Sequence, residues 1–278
     1  MTEPRADVGV IGGSGFYSFL DDARPVEVTT PFGEPAEQPV VGTLAGRAVA
    51  FLPRHGRDHR LPPHLVNYRA NLWALRAVGV RQVLAPSAVG SLRPELGPGT
   101  VVVPDQVVDR THGRAATIYD APGTVVHAPM ADPYCPVGRR AVLDAGAHDQ
   151  ETGPQPPLDV VDGGTLVVVN GPRFSTRAES RWHAAAGWSV VGMTGMPEAA
   201  VARELAMCFT TVSLVTDLDA GVEQGEGVTH AEVLEVFGRN VERLKHLVAA
   251  AIARLPGPEA DCTCRHALDG QPLPFDLP

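Results

Sequence analysis

The sequence predicts a single α/β domain with a mixed central sheet flanked by helices. Short apolar runs alternate with segments of helical period along the chain, which is the pattern of a sheet covered by helices. The length of 278 residues and a hydrophobic fraction of 44% allow one large core. We place this domain at residues 1–256 and assign residues 257–278, which are rich in proline, to a C-terminal tail.

Strands are predicted wherever short runs of valine, leucine, isoleucine or threonine occur. The run at 166–169 is apolar at every position, which indicates a strand buried on both faces. The other runs are bounded by glycine, proline or charged residues, which end strands. The predicted strands are 8–11, 48–52, 80–85, 166–169, 189–191 and 210–215.

Four segments carry apolar residues at helical spacing. In the first, apolar side chains recur every three or four positions, and Gly79 follows as a stop. The last opens with Thr229 and Glu232, which are spaced as a capping box. The predicted helices are 64–78, 178–186, 197–207 and 229–255, whereas 112–137 and 146–163 show no period and are predicted to be irregular.

Charge and hydropathy disfavour several classes of partner. The formal net charge of -9 argues against nucleic acid, whose binding requires clustered basic side chains. No apolar run reaches the roughly 18 residues of a membrane span. The first residues also lack the basic start and apolar stretch of a secretory signal, so a cytoplasmic location is expected.

Polar clusters follow all six predicted strands. Ligands of open α/β sheets bind beyond the carboxyl ends of the strands. We therefore expect these clusters to line one shared rim. They are GGSG at 12–15, RHGR at 54–57, SAVGS at 87–91, NGPRFS at 170–175, MTGM at 193–196 and TDLD at 216–219.

Several of these clusters offer donors to an anion. Glycines in GGSG let backbone N–H groups approach closely, and Ser14 adds a hydroxyl. Arg54 adds a permanent charge and His55 a titratable donor. Phosphate accepts on every side and suits such a ring, which would be completed by Ser87, Ala88 and Thr194. A glycine turn without a ligand and a solvated arginine loop remain the plainer interpretations, while a nicotinamide site is disfavoured because G-x-G-x-x-G is missing.

The TDLD segment suggests acid catalysis. Side chains alternate along a strand, so Asp217 and Asp219 are expected on the same side. Two close carboxylates do not both ionise cheaply, so one can keep a proton near neutral pH and pass it to a leaving nitrogen. The simpler alternative is a turn capped by two aspartates. Phe174 and Met193 would serve as a stacking face and a ribose platform, unless they belong to the core.

The four cysteines are too few and too scattered for a disulfide scaffold. Cys262 and Cys264 form a C-x-C pair in the tail. We interpret them as reduced tail cysteines, with a redox pair or a strained disulfide as alternatives. A zinc site would need two more ligands, for which His266 is the only candidate close in sequence, so no metal is expected.

Eight ordered motifs together resemble a known family. VIGGSGFY, PRHGRDH, VNYRANLWAL, SAVGSL, HAPMADPYCP, NGPRFSTRAES, MTGMPEAAVARE and TDLD resemble the 5′-methylthioadenosine phosphorylases, within the trimeric purine nucleoside phosphorylase family. The resemblance runs from about residue 8 to residue 255. It implies a nucleoside phosphorylase-like fold, phosphate as co-substrate without a cofactor, and a homotrimer or a dimer of trimers. The implied reaction cleaves 5′-methylthioadenosine, or a related 5′-modified adenine nucleoside, to adenine and the sugar 1-phosphate.

The resemblance also implies roles for individual residues. The 6-oxopurine members carry glutamate and asparagine where this chain has Ser175 and Asp217, so an adenine-type base is expected, since a carboxylate can accept from a 6-amino group. His127 matches a residue that reaches the 5′ pocket of a neighbouring subunit. The implied phosphate ligands are Ser14, Arg54, His55, Ser87, Ala88 and Thr194; Met193 underlies the ribose, Phe174 packs on the purine, and Ser175 and the catalytic Asp217 and Asp219 contact its edge.

One segment departs from the methylthio-specific pattern. Those relatives line the 5′ pocket with apolar residues at the start of the last helix, whereas this chain has His230 there, followed by Val233. The segment THAEV resembles phosphorylases that accept a 5′-hydroxyl group, although an exposed first-turn histidine is the plainer interpretation. The 5′ substituent thus stays open. A broader phosphorylase acting on adenosine or 6-oxopurine nucleosides is the alternative function, and a non-catalytic nucleoside-binding protein is the alternative of another class.

Overall fold

A computed structural model describes residues 5–13, 16, 19–154, 156–222 and 227–278, with Thr152 described by its backbone alone. Within these residues eleven strands form one sheet, and five α-helices accompany it. The strands are β1 Val8–Gly12, β2 Asp21–Pro25, β3 Val40–Leu44, β4 Arg47–Pro53, β5 Gln82–Ser91, β6 Val101–Val103, β7 Gln106–Arg110, β8 Val160–Asp162, β9 Thr165–Val169, β10 Val190–Gly192 and β11 Cys208–Leu218. The helices are α1 Tyr68–Ala77, α2 Pro136–Thr152, α3 Arg177–Ala185, α4 Gly195–Glu204 and α5 His230–Arg254.

The sheet is mixed, as predicted. Its main path runs β2-β3-β4-β1-β5-β10-β9-β7, and β11, β6 and β8 branch from β5. The centre, formed by β4, β1, β5 and β11, is parallel. Antiparallel pairs join β2 to β3, β3 to β4, β5 to β10 and β6 to β11.

Alternating side chains along the central strands build two core layers. Val8 and Val10 of β1 pack with α2 and α5, whereas Ile11 packs with α1 and α4. On β5, Leu84 likewise packs in the layer of α2 and α5, whereas its neighbours Val83 and Ala85 pack in the layer of α1 and α4. Both faces of the sheet are therefore covered by helices, which explains why these strands are apolar at nearly every position.

Strand β5 forks the sheet. One edge pairs with β11 from Gln82 to Ser91. The other edge pairs with β1 at residues 82–84 and with β10 at residues 90–91. Within the described chain, residues 85–89 therefore have no strand neighbour on this second edge.

All six predicted strands are present, but the third is longer than predicted. We ended it before Pro86, which lacks an N–H for a central strand. Strand β5 instead continues to Ser91, so Ser87 and Ala88 lie within the strand and not after it. Pro86 is tolerated because it lies at the fork, where one edge is open.

The first predicted helix begins later than expected. Asn67 caps α1 by accepting a hydrogen bond from the Ala70 N–H at 3.2 Å. Leu65, which we placed on a helix face, lies in a 3₁₀ turn and is 62% exposed. The predicted capping box at Thr229 and Glu232 is present at the start of α5.

One helix and five strands were not predicted. Helix α2 occupies part of the segment that we predicted to be irregular at 146–163, and β8 follows in the same segment. The stretch from 112 to Cys135 is irregular, as expected. The strands β2, β3, β6, β7 and β8 lie at the margins of the sheet, and β2 is exposed throughout.

The tail at 257–278 packs against the domain. Cys264 and Leu268 are buried, and the Phe275 ring stacks on Tyr119 at 5.3 Å and meets the edge of Trp73 at 5.7 Å. Among the helices of the described residues, none has both the length and the hydropathy needed to cross a membrane.

Two helical glycines offer a matched test of packing. A Cβ at Gly146 of α2 would lie 2.6 Å from Val160 Cγ2, whereas one at Gly238 of α5 would meet nothing within 4 Å. We expect Gly146→Ala to lower the free energy of unfolding by about 1–3 kcal/mol through overpacking. Gly238→Ala should raise it by about 0.5–1 kcal/mol because alanine favours helix. Urea denaturation measures both, and equal effects would contradict the packing of α2 on β8.

Candidate active site

A cavity of about 830 Å³ is lined by the carboxyl-terminal parts of β5 and β11 and by residues at or just after the carboxyl ends of β1, β4, β9 and β10. The predicted clusters therefore do meet at one rim. Ser14 lies outside the described residues, although the neighbouring Gly13 lines the cavity. The predicted site residues that line it are Arg54, His55, Ser87, Ala88, Phe174, Ser175, Met193, Thr194, Asp217, Asp219, His230 and Val233.

The open edge of β5 forms one wall of this cavity. Residues 86–90 all line it, and at residues 86–89 the backbone polar groups that point away from β11 have no strand partner in the described chain. Thr194 lies opposite at the N-terminus of α4, and its hydroxyl makes no capping hydrogen bond. A helix N-terminus and unpaired backbone groups together suit an anion.

Arg54 lies beside this wall, but most of its N–H groups already have acceptors within the protein. Its Nε donates to Glu198 Oε1 at 2.5 Å, and its Nη2 donates to Glu198 Oε2 at 3.1 Å and to Ile11 O at 3.0 Å. Its Nη1 donates to Pro86 O at 3.2 Å. These contacts use four of its five N–H groups and leave one on Nη1. The side chain is 2% exposed, so the solvated-loop interpretation is wrong.

The sequence did not reveal Glu198 as the partner of Arg54. Glu198 is completely buried in the first turn of α4, and burial raises its pKa although the charge of Arg54 opposes this. A buried carboxylate that holds an arginine so closely fixes the position of the guanidinium. The only sequence feature that hinted at it is an acid in the first turn of a helix whose next residues, 199–202, are small and apolar.

His55 has the opposite role to the one we predicted. Its Nδ1 lies 2.8 Å from Leu61 O, and a carbonyl oxygen can only accept, so Nδ1 carries the hydrogen. Burial, with help from the charge of Arg54, lowers the pKa of His55 to about 3. The ring is thus neutral at pH 7, and Nε2 is an acceptor rather than a donor. Such a nitrogen can accept a hydrogen bond from the hydroxyl of a bound phosphate.

The two predicted acids line the same cavity near the end of β5: a Cβ at Gly90 would lie 3.0 Å from Asp217 Oδ1 and 3.3 Å from Asp219 Cβ. Asp217 accepts from the Thr216 hydroxyl at 2.8 Å, and Asp219 is buried and accepts from the Ser180 hydroxyl. Burial, together with the charges of Asp219 and Glu232, raises the pKa of Asp217 to about 6, against the pull of the Thr216 hydrogen bond. Asp217 is therefore the carboxyl that keeps a proton close to neutral pH.

Arg114 holds together the loops that follow β9 and β10. Its guanidinium donates to Asn170 O at 2.8 Å, to Met193 O at 2.9 Å and to Met196 O at 2.6 Å. These loops carry Phe174, Ser175 and Met193 into the cavity. Arg114 lies in a segment without any period, so no local pattern marks it as a site residue.

One face of α5 closes the cavity. His230, Val233, Leu234 and Phe237 recur at helical spacing and all line it. Across from them His59 stacks on His55, with ring centroids 4.1 Å apart. Only His230 and Val233 were predicted to line the site, although the helical period from His230 also points to Leu234 and Phe237.

The comparisons with known proteins agree with this geometry. A model of the phosphorylase superfamily matches residues 7–253. The chain belongs to the phosphorylase superfamily. It is 61% identical to a purine nucleoside phosphorylase of Streptomyces coelicolor, covering 99% of this chain and 98% of the relative. It is 56% identical to an S-methyl-5′-thioadenosine phosphorylase of Mycobacterium tuberculosis, covering 98% and 97%.

A solved structure shares the whole architecture. It is a methylthioadenosine phosphorylase sourced from an Antarctic soil metagenomic library, with a TM-score of 0.89 and 37% identity over 97% of this chain and 93% of that chain. The family resemblance, the fold class and the enzyme class, a pentosyltransferase, are thereby confirmed.

His127 does not line the cavity of its own chain in this phosphorylase. It is exposed on the irregular segment, where Gln271 accepts from its backbone N–H at 2.8 Å and donates to its carbonyl at 3.0 Å. This position leaves the side chain free to reach another subunit, so its assignment stays a prediction.

Potential metal ligands gather away from the cavity. Among the described residues, the one group of histidine, cysteine or acidic side chains spaced for a metal ion consists of the four cysteines. His266, which we named as the candidate ligand beside the C-x-C pair, is not a member. Its two ring nitrogens contact Asp261 at 2.7 Å and Asp269 at 2.8 Å.

Asp217 should destabilise the folded chain in a pH-dependent way. Its folded pKa of about 6 lies above the ordinary 3.8, so the folded state loses stability relative to the unfolded state as pH rises through this window. We expect Asp217→Asn to raise the melting temperature relative to wild type at pH 8, with the difference shrinking toward pH 4. The exposed Asp276→Asn variant controls for loss of one charge. An Asp217→Asn effect that does not vary with pH would exclude this ionisation.

Proposed function

We propose that this phosphorylase uses inorganic phosphate to cleave 5′-methylthioadenosine, or a related 5′-modified adenine nucleoside, to adenine and the sugar 1-phosphate. One observation carries the proposal: the open edge of β5 and the protonatable Asp217 face the same cavity of about 830 Å³. Donors for an anion and an acid thus line one cavity whose volume is large enough for a nucleoside. The name of the Mycobacterium tuberculosis relative supports the same substrate.

The proposed reaction is a dissociative displacement at the ribose C1′. The bond from C1′ to the base breaks first, and its electron pair leaves with the purine while the sugar becomes oxocarbenium-like. Asp217 gives its proton to purine N7, which stabilises the departing base. A phosphate oxygen then forms the new bond to C1′. Neutral His55 accepts a hydrogen bond from the phosphate hydroxyl. That proton first stays on the sugar 1-phosphate, and Asp217 regains a proton from solvent after the base has left.

Phosphate in this scheme is held mainly by neutral donors. Ser87, Ala88 and Thr194 contribute backbone and hydroxyl groups, and Arg54 contributes its remaining N–H and its charge. Because Glu198 offsets that charge, phosphate is not held by an unpaired cation. Fixed dipoles of this kind stabilise charge as it develops in the transition state.

The 5′ end of the cavity supports two substrate types. Val233, Leu234 and Phe237 form an apolar wall that suits a methylthio group. His230 is a polar group on the same helix face and favours the second candidate, a broader purine nucleoside phosphorylase that accepts a 5′-hydroxyl group. The name of the Streptomyces coelicolor relative supports this alternative.

We further propose a cytoplasmic homotrimer or dimer of trimers that serves purine and methionine salvage. The match at His127 supports an assembly in which each cavity is completed by a neighbour. Apolar side chains exposed nearby support the same idea: Val125 is 70% exposed on the His127 segment, and Leu234 is 55% exposed at the cavity rim.

Replacing Asp217 tests the acid. We expect Asp217→Asn to lower turnover of the adenine nucleoside about a hundredfold or more, because the amide cannot give a proton to N7. In wild type, kcat/KM should fall as pH rises above about 6, where Asp217 loses its proton. Asp276→Asn should keep wild-type rates. The same alkaline decline in Asp217→Asn would remove Asp217 from this role.

A substrate panel tests the 5′ pocket. Phosphate-dependent base release should be fastest from methylthioadenosine, slower from adenosine and slowest from inosine. His230→Ala should lower kcat/KM for adenosine about tenfold more than for methylthioadenosine, and Phe237→Ala should do the reverse. Inosine as the best substrate would favour the broader enzyme. Binding without turnover at every phosphate concentration would overturn the proposed catalysis.

A further inference from the structure

Four cysteines that are far apart in sequence meet at one point of the fold. The Sγ atoms of Cys135, Cys208, Cys262 and Cys264 all lie within 4.8 Å of one another. Three of the residues are buried and Cys262 is half-buried. They account for every cysteine of the chain. The cluster joins the start of α2, the start of β11 and the C-terminal tail.

The spacing of the sulfurs suits a tetrahedral metal ion. A zinc–sulfur bond of about 2.3 Å places two ligands of a tetrahedron about 3.8 Å apart. The sulfurs of Cys135 and Cys262 are 3.6 Å apart, and no pair exceeds 4.8 Å. All four cysteines are free thiols. The separation of 3.6 Å is well beyond the S–S bond length of roughly 2.05 Å in a disulfide. A small contraction of the cluster would complete the coordination.

The backbone fixes two of the sulfurs on one side. The Cys135 N–H donates to Phe209 O at 2.8 Å, and the Cys208 N–H donates to Arg81 O at 2.9 Å. The other two sulfurs come from Cys264 in the 3₁₀ turn Thr263–His266 and from Cys262 directly before it, whose carbonyl accepts from the Arg265 N–H at 2.9 Å. Two sulfurs thus come from the domain and two from the tail, and together they can supply the four ligands of a closed structural site.

The surroundings favour the negative charge of such a centre. Four thiolates and one divalent ion carry a net charge of −2. Cys135 precedes the first turn of the 17-residue helix α2, whose positive end faces it. The positive charge of Arg203 favours the ionised form of Cys264 and so lowers its pKa. Arg203 is itself held in place by Asp132 O, to which it donates at 2.5 Å.

We infer that Cys135, Cys208, Cys262 and Cys264 bind one zinc ion that fastens the tail to the domain. Four protein ligands leave no open position for substrate, so the ion is structural. Asp217 lies nine positions after Cys208 along β11, which is about 30 Å of strand. The site is therefore remote from the cavity and independent of the proposed reaction.

Metal content of the untagged protein tests the inference. The protein is purified under reducing conditions, dialysed against metal-free buffer and analysed by plasma mass spectrometry. We expect one zinc per chain. Cobalt added alone to the metal-free protein should give thiolate charge-transfer bands and the intense visible bands of tetrahedral coordination. The double variant Cys262→Ser, Cys264→Ser should lose the metal.

His266→Gln is the matched control, because His266 lies beside the pair yet its ring contacts only Asp261 and Asp269 among the described residues. It should retain one zinc per chain. Since the cysteine variants can fail for reasons of folding, wild type also decides the matter. Substoichiometric zinc together with four reactive thiols in the native protein would overturn the inference. So would a mass under non-reducing conditions that corresponds to two disulfides.

Discussion

The divergence of two neighbours of β5 is the constraint on which the cavity depends. Strand β1 runs parallel to β5 and leaves it after residue 84, whereas β10 runs antiparallel and reaches it only at residue 90. The gap between them exposes backbone groups at the centre of the sheet, where they would otherwise be paired. Arg54 fills part of this gap through Pro86 O and Ile11 O. Buried backbone groups need partners, so a ligand that supplies them is favoured there.

Charge is arranged unequally across the cavity. On the anion side, Glu198 partly neutralises Arg54, and burial keeps His55 neutral. On the base side, burial discourages ionisation of Asp217. Low dielectric therefore acts on both groups, yet it leaves His55 as a hydrogen-bond acceptor and Asp217 as a proton donor. Neutral His55 has one ring nitrogen without a hydrogen, whereas neutral Asp217 carries a proton. The same burial therefore prepares both groups for the reaction.

Much of this organisation follows from local sequence patterns. The central strands are apolar because both faces are covered, and the polar clusters at their ends mark the rim. Glu198 and Arg114 were missed because their partners lie 144 and about 80 residues away, and no local period reports such contacts. Strand β2 was missed because all five of its residues are exposed. Helix α2 opens with a proline and carries Gly138 and Gly146, which weaken its helical pattern.

The contact between Gln271 and His127 gives the last residues an unexpected importance. One side-chain amide occupies both the N–H and the carbonyl of a single residue in the middle of a long loop, as a neighbouring strand would. Shortening the chain before this glutamine would thus unpair backbone at a site 144 residues earlier. The C-terminal tail therefore stabilises that loop, and truncating the tail would remove two hydrogen bonds that hold the loop in place.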